Sequence, residues 1–192
     1  AKRYKKIGQK YPVHKVAEDA LIAFSNAQDF LKEKFNKTIK GLGTAGTLLA
    51  KKKQADKLFS AKQYDKAAPL YLQAVRSAPL NEKMPPLAMK LSYCYAKTDN
   101  LLKAQATASY LKDVFPEHQS TADALLYVGK IIFQKSNDEQ KSSEAREKLF
   151  TAASRILQQF LQLASDHDEA DDMAYLLAEK QYSQAMTLAN KA

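Results

Sequence analysis

Apolar residues recur at helical spacing along most of the chain, and short polar or proline-containing breaks separate these stretches. Residues 97–100 and 135–138 are two such polar breaks. This 3.6-residue periodicity predicts helices rather than strands. The predicted helices lie at about 14–32, 47–62, 64–77, 85–97, 100–114, 120–134, 141–164, 169–180 and 182–191, and residues 1–10 are expected to end an earlier helix pair.

The chain also repeats parts of its own sequence. Residues 11–21 align without a gap with residues 115–125, so that an aromatic residue, Pro, His, Asp, Ala and Leu coincide. A weaker third copy occupies residues 166–174, again with an Asp five residues after the His. Repetition of this kind indicates an array of similar structural units.

A second repeated element lies between these copies. It begins at residues 63–67, has an echo at Leu101 and Ala104, and has a fainter echo at residues 181–185. Pro79 and Pro116 are 37 residues apart, and Pro12 precedes Pro79 by 67 residues, close to two units of 34. Two helices therefore alternate at a period of about 34 residues.

Residue size indicates how the two helices pack. Small residues at Ala55, Ser92 and Gly129 allow the first helix of a pair to approach the second, where Ala67 and Ala104 provide the matching flat position. Larger residues fill the groove between neighbouring pairs, so no pair can bury its apolar stripe alone. We expect one domain over residues 1–192, with pairs at about 14–47, 48–81, 82–118 and 119–165 and a partial pair at 166–192. The groove-filling residues are Leu58, Tyr71, Leu91, Tyr95, Val128 and Ile132.

Residues 48–134 resemble the tetratricopeptide repeat (TPR) family, although Lys51 stands where that family often has a bulky aromatic. The resemblance implies an all-α fold, a right-handed superhelix of αα-hairpins. Residues 115–129 look like the bacterial envelope branch, which includes the lipoprotein of the outer-membrane β-barrel assembly machinery and the coordinator of the Tol–Pal system. Residues 33–47 and the long helix at 141–164 depart from the family pattern. The matching positions are Ala55, Leu58, Tyr64, Ala67, Tyr71, Ala74 and Pro79.

The resemblance implies a binding surface, because in that family the first helix of each pair lines a concave face. Its aromatic and lysine residues suit a peptide or helix with acidic and apolar groups, although some of these aromatics could belong to the core between repeats. A carboxylate clamp of Lys and Asn, found in one subfamily, is disfavoured because Asp56 and Lys90 stand at the two Asn positions. The predicted partner-binding residues are Asn26, Phe30, Lys52, Asp56, Phe59, Met89, Tyr93, Lys97, Leu126, Lys130 and Phe133.

Charge leaves a second function open. The formal net charge is +9, and residues 1–66 carry 16 Lys and Arg against 6 Asp and Glu, whereas residues 67–192 carry 14 against 15. A basic first third could bind nucleic acid or an anionic surface, or it could be a solvated helical face. The main prediction is a non-catalytic protein-binding scaffold, and the alternative is a basic array that acts through residues 1–66.

The sequence offers little catalytic chemistry. Residues 41–46 match the bare pattern G-x-G-x-x-G, but helical flanks favour a turn between helices over a phosphate site. The histidines His14, His118 and His167 occupy one place in three repeats, which favours a turn or capping role over metal binding. The single cysteine, Cys94, is expected to be a small buried apolar residue. No enzyme activity, metal or cofactor is predicted. The acidic residues at 166–172 are expected to interact favourably with the dipole of the helix that they open.

The boundaries of the chain suggest a piece of a longer protein, because it starts at Ala1 inside a helical pattern and ends on an unpaired helix. No apolar run is long enough to span a membrane. Self-association through the terminal helices is possible. The compartment is unknown; the resemblance favours the periplasm or cell envelope, and the cytoplasm is possible.

Overall fold

A computed structural model describes residues 43–78, 80 and 82–189, together with Ala27, Phe30 and Lys34. These residues form helices and turns, and this described part contains no strand, so the predicted all-α class is confirmed. Seven helices lie between residues 43 and 189. They are α1 (Gly43–Ser60), α2 (Tyr64–Ser77), α3 (Pro85–Lys97), α4 (Leu101–Val114), α5 (Gln119–Ser136), α6 (Ser143–Leu163) and α7 (Ala170–Ala189).

Most predicted boundaries agree with the observed ones. Helices α2 and α3 have the predicted bounds, and α6 is the longest of the seven, as expected from its sequence. Two expectations were wrong. Residues 43–46 form the first turn of α1 instead of a loop, and α7 continues through residue 181, where a break was predicted. The predicted tail at 1–10 and helix at 14–32 lie outside the described residues, except that Ala27 and Phe30 are helical.

The helices pack in sequential pairs, α1 with α2, α3 with α4, and α5 with α6. Each pair also contacts the next one, because α2 packs on α3 and α4 packs on α5. The first helices of neighbouring pairs are in contact as well, since α3 packs on α5 and side chains of α1 reach α3. The first helices therefore lie side by side in one layer, and their partners α2, α4 and α6 pack against them.

Small residues make the close approach between paired helices possible, as the sequence predicts. Ala55 and Ser92 are completely buried in α1 and α3, and Ala67 and Ala104 are completely buried in α2 and α4. Gly129 lies in α5 opposite Leu157 of α6. The large buried side chains Tyr71, Leu111 and Phe160 fill the space between the helices.

The turns inside the first two pairs share one backbone geometry. Lys62 and Asp99, which follow α1 and α3, both have left-handed backbone angles, with φ of 58° and 60°. The N–H of the following residue reaches back to the helix, from Gln63 to the Leu58 carbonyl and from Asn100 to the Tyr95 carbonyl, each at 2.9 Å. These bonds satisfy carbonyls that the helix end leaves free and turn the chain into the second helix.

Candidate partner-binding face

Three aromatic residues form a row across α1, α3 and α5. The ring centroid of Phe59 is 5.4 Å from that of Tyr93, and the Tyr93 centroid is 5.9 Å from that of Tyr127. Tyr64, at the start of α2, packs its ring edge against both Phe59 and Tyr93 at 5.5 Å. Each of the three side-by-side helices thus contributes one ring to a continuous aromatic strip.

A carboxylate beside this strip links α1, α2 and α3. The Asp56 carboxylate accepts hydrogen bonds from the Lys52 ammonium at 2.8 Å, the Tyr71 hydroxyl at 2.7 Å and the Lys90 ammonium at 2.5 Å. The Lys90 ammonium also lies 5.7 Å from the ring centroid of Phe59. One carboxylate therefore fixes two lysines at the edge of the aromatic strip.

The electrostatics of this group follow from its surroundings. Burial raises the pKa of Asp56, but the hydrogen bonds from Lys52, Lys90 and Tyr71 outweigh it, and the pKa falls below its ordinary value of 3.8. Burial, together with the hydrogen bond to Asp56, raises the pKa of Tyr71 far above its ordinary value. At neutral pH, Asp56 is therefore ionised and Tyr71 is a neutral donor.

Further lysines extend the positive charge along the strip. The Lys97 ammonium lies 5.4 Å from the ring centroid of Tyr93 and has no carboxylate partner among the described residues. Lys130 forms an ion pair with Glu169, which precedes α7. We call this surface the aromatic–lysine face; it comprises Lys52, Asp56, Phe59, Lys90, Tyr93, Lys97, Tyr127 and Lys130.

Most of the predicted partner-binding residues in the described part lie on or next to this face. Met89 is half-buried beside Tyr93, on the same helix, and packs against the core. Phe30 is 54% exposed, and Asn26 lies outside the described residues. The expectation for α5 needs correction, because Leu126 is 1% exposed and Phe133 is 8% exposed. Phe133 packs its ring on Phe150 of α6, with the centroids 6.0 Å apart, so Leu126 and Phe133 belong to the core and not to the exposed face.

The residue that the sequence interpretation missed is Tyr127, which is 37% exposed. The positions assigned from the family resemblance are 37 residues apart, as from Asp56 to Tyr93 and from Tyr93 to Lys130. Contacts between neighbouring first helices instead advance by 34 residues, as Phe59 to Tyr93 and Asp56 to Lys90 show. The row therefore runs obliquely across the repeats, and a further step of 34 residues leads to Tyr127.

The predicted capping role of two histidines is confirmed. Nδ1 of His118 accepts the Ser120 N–H, and Nδ1 of His167 accepts the Glu169 N–H, each at 3.1 Å. Nε2 of His167 also lies 3.7 Å from the Asp123 carboxylate. His14 lies outside the described residues. These bonds satisfy backbone donors at the start of α5 and just before α7.

An apolar groove lies next to Lys52, at the start of α1 and α3. It has a volume of about 590 Å³ and is lined mainly by Leu49, Pro86, Leu87 and His118. A volume of this size can take one or two apolar side chains. The groove therefore extends the aromatic–lysine face beyond Asp56 toward the helix starts.

Other candidate chemistry is limited in the part of the chain that the structure describes. No three His, Cys, Asp or Glu side chains converge there as metal ligands would. Cys94 is buried, as predicted, and burial raises the pKa of its thiol to about 12. None of the helices described combines the length and the apolar character that crossing a membrane requires.

Comparison with protein-family models, with curated proteins and with solved structures found no match.

Proposed function

We propose that the chain is a non-catalytic scaffold of tetratricopeptide-like helix pairs that binds another protein on its aromatic–lysine face. The segment bound is an extended peptide or a helix that carries acidic and apolar side chains. The repeated small residues, the paired helices and the side-by-side first helices support a superhelical array of this type.

The observation that carries this proposal is the row of Phe59, Tyr93 and Tyr127. Aromatic rings are the side chains that most often dominate the binding energy at protein interfaces. Here one ring comes from each of three neighbouring helices. A tilted contact between Phe59 and Tyr93 and an edge-to-face contact between Tyr93 and Tyr127 hold the rings in place. A ligand that crosses the three helices would meet a preorganised apolar strip.

Charge determines which ligand fits. The cluster formed by Lys52, Asp56, Lys90 and Lys97 contains three ammonium groups and one carboxylate. Each ammonium has three N–H donors, and Asp56 takes one from Lys52 and one from Lys90, so further donors stay available to a ligand. A segment with acidic groups next to apolar ones would pair with these lysines and cover the rings.

A peptide selection on the whole chain tests the proposal. Peptides from a random displayed library that bind the immobilised chain should be rich in Asp or Glu next to Leu, Ile or aromatic residues. Affinity for a selected peptide, measured by fluorescence anisotropy, should fall about fivefold or more in Tyr127→Ala and in Lys97→Ala. The matched control is Tyr110→Ala, because Tyr110 is a similarly exposed aromatic on α4.

Two outcomes contradict the proposal. The aromatic–lysine face is not the binding site if Tyr110→Ala lowers the affinity for the peptide as much as Tyr127→Ala does. The basic-array alternative is favoured if single-stranded DNA displaces the peptide and the affinity falls steeply with salt while Tyr127→Ala has no effect.

A further inference from the structure

One stripe of side chains runs along α3 and connects the features of the aromatic–lysine face. Its members lie three or four residues apart, so they share one side of the helix. Pro86 lines the apolar groove near the start of α3, and Lys90 donates to Asp56. Tyr93 is the middle ring of the aromatic strip. The stripe consists of Pro86, Lys90, Tyr93 and Lys97.

A polar pocket lies at the other end of this stripe, between the ends of α3 and α5. Its volume is about 270 Å³, which is enough for one side chain of a ligand. Buried Ile131 gives it an apolar part, and the other residues that line it are polar or charged. The full lining is Lys97, Ile131, Gln134, Lys135 and Asp138.

The charge of this pocket favours an acidic group. The Asp99 carboxylate is already paired, because it accepts from the Lys135 ammonium at 2.5 Å. The Asp138 carboxylate is paired in the same way with the Lys141 ammonium at 2.6 Å. The Lys97 ammonium, by contrast, has no carboxylate partner among the described residues. Its positive charge therefore suits an acidic side chain of a ligand.

The groove at the start of α3 selects a different group. Its apolar lining is provided mainly by Leu49, Pro86 and Leu87. Charged side chains of both signs also line it, namely Lys52, Glu82 and Lys83. Removing a carboxylate from water against an apolar lining costs free energy, whereas an apolar side chain gains by burial there. The stripe thus has an apolar site at one end and a site for a carboxylate at the other.

The distance between the two sites limits the ligand. Leu87 and Lys97 are ten residues apart in α3, which corresponds to about 15 Å along the helix. Four residues of extended chain cover about 13 Å, and an even spacing points both side chains to the same side. A helical ligand would need about ten residues to cover the same distance, and a helix that short is marginal in water.

We propose that the ligand is an extended peptide that runs along α3 and is recognised by two side chains four residues apart. One is apolar and enters the groove beside Leu49 and Leu87, and the other is Asp or Glu and pairs with Lys97 in the polar pocket. The backbone between them crosses the aromatic strip at Tyr93. This inference rests on the proposed function and adds to it the spacing that makes a peptide a ligand.

The spacing is tested with peptides selected on the whole chain from the random library. They should share an apolar and an acidic residue four positions apart. Inserting one Gly between these two residues points the acidic side chain away from the pocket and should lower the affinity about fivefold in fluorescence anisotropy. The same Gly added at the end of the peptide keeps the spacing and should leave the affinity unchanged.

The polar pocket is tested by changing both partners. Lys97→Ala should lower the affinity about fivefold for the peptide with Glu at the acidic position, and should leave the affinity unchanged for the peptide with Gln there. Lys103→Ala is the matched control, because the Lys103 ammonium also lies beside a tyrosine ring, 5.6 Å from the centroid of Tyr95. It should change neither affinity.

The groove is tested in the same way. Replacing the apolar residue of the peptide by Ala should lower the affinity for the wild-type chain about fivefold, and Leu49→Ala should remove most of that difference. Leu102→Ala, at an exposed leucine of α4, should leave the difference as it is in the wild-type chain.

Three results overturn this inference: selected peptides with the two residues about ten positions apart, a Gly insertion without effect, or equal losses in Lys97→Ala for the Glu and the Gln peptide. An undiminished difference in Leu49→Ala overturns it as well. If Tyr127→Ala still lowers the affinity in these cases, the proposed function stands without the inference. Peptides whose affinity Tyr127→Ala leaves unchanged overturn both.

Discussion

Gly129 faces Leu157 so closely that a Cβ atom at residue 129 would lie 2.6 Å from Cδ2 and 2.7 Å from Cγ of Leu157. Leu157 is completely buried, so its side chain cannot swing out into solvent to make room. The contact between α5 and α6 therefore depends on a residue without a side chain at this point.

Gly129→Ala should destabilise the chain. Overpacking costs about 1–3 kcal/mol, whereas Ala gains about 1 kcal/mol over Gly inside a helix. We expect a net loss of up to about 2 kcal/mol in the free energy of unfolding, measured by urea titration. In a Leu157→Ala background the same substitution should be neutral or stabilising; an equal loss in both backgrounds would show that the contact is not the cause.

The helix boundaries were predictable where the local sequence fixes them. Pro85 and Pro86 can start a helix but cannot continue one, and α3 begins at Pro85. Near residue 181, by contrast, the local sequence does not show whether the chain turns or continues as a helix. The shared residues of 62–67 and 180–185 form a turn in one place and helix in the other, and the difference lies in packing, since Ala67 is buried and Ala185 is exposed.

The candidate site was predictable only in part for a related reason. The family resemblance assigns Lys52, Phe59 and Tyr93 to one face, and in the structure these three residues lie together there. Sequence repeats do not show how far one helix slides past the next. They also do not show how α5 is rotated about its axis, and that rotation, set by packing against α3, buries Leu126 and leaves Tyr127 at the surface.

Asp56 should make stability depend on pH. Its pKa is lowered in the folded chain, so its contribution is complete above its ordinary value of 3.8 and is lost as the pH falls through the lowered value. Asp56→Asn should cost about 1–2 kcal/mol at neutral pH, because charge-assisted hydrogen bonds from Lys52 and Lys90 are lost.

The measurement is a pair of urea titrations at neutral and at acidic pH. The difference between the wild-type chain and Asp56→Asn should shrink well below pH 3.8, where Asp56 is protonated in both the folded and the unfolded chain. Asp113→Asn is the control, since Asp113 is an exposed carboxylate near the end of α4. A constant difference at all pH values would exclude the ionised Asp56 as the cause.

His118 should stabilise the start of α5 through its side chain. His118→Ala removes the acceptor of the Ser120 N–H and should cost about 1 kcal/mol. His118→Asn supplies a side-chain oxygen at the same cap and should retain most of the stability. Thermal unfolding followed by circular dichroism distinguishes the two variants. Equal losses in both would assign the effect of His118 to packing in the apolar groove instead of capping.

Lys62 and Lys180 should respond in opposite ways to glycine, although both begin the sequence Lys-Gln-Tyr. Lys62 has a left-handed backbone, which costs a residue with a side chain about 1–2 kcal/mol. Glycine avoids that cost but loses more freedom on folding, by about 0.5–1 kcal/mol. Lys180 is helical, and glycine there should be less stable than alanine by about 1 kcal/mol.

Comparing Gly with Ala at each position isolates the backbone effect, because both substitutions remove the same lysine side chain. Lys62→Gly should be more stable than Lys62→Ala, whereas Lys180→Gly should be less stable than Lys180→Ala in urea titrations at one protein concentration. The loss of the bond between Lys180 and Asn137 cancels in this comparison. Greater stability of glycine at both positions would mean that Lys180 also favours a turn, and that the straight α7 is not the stable form of the isolated chain.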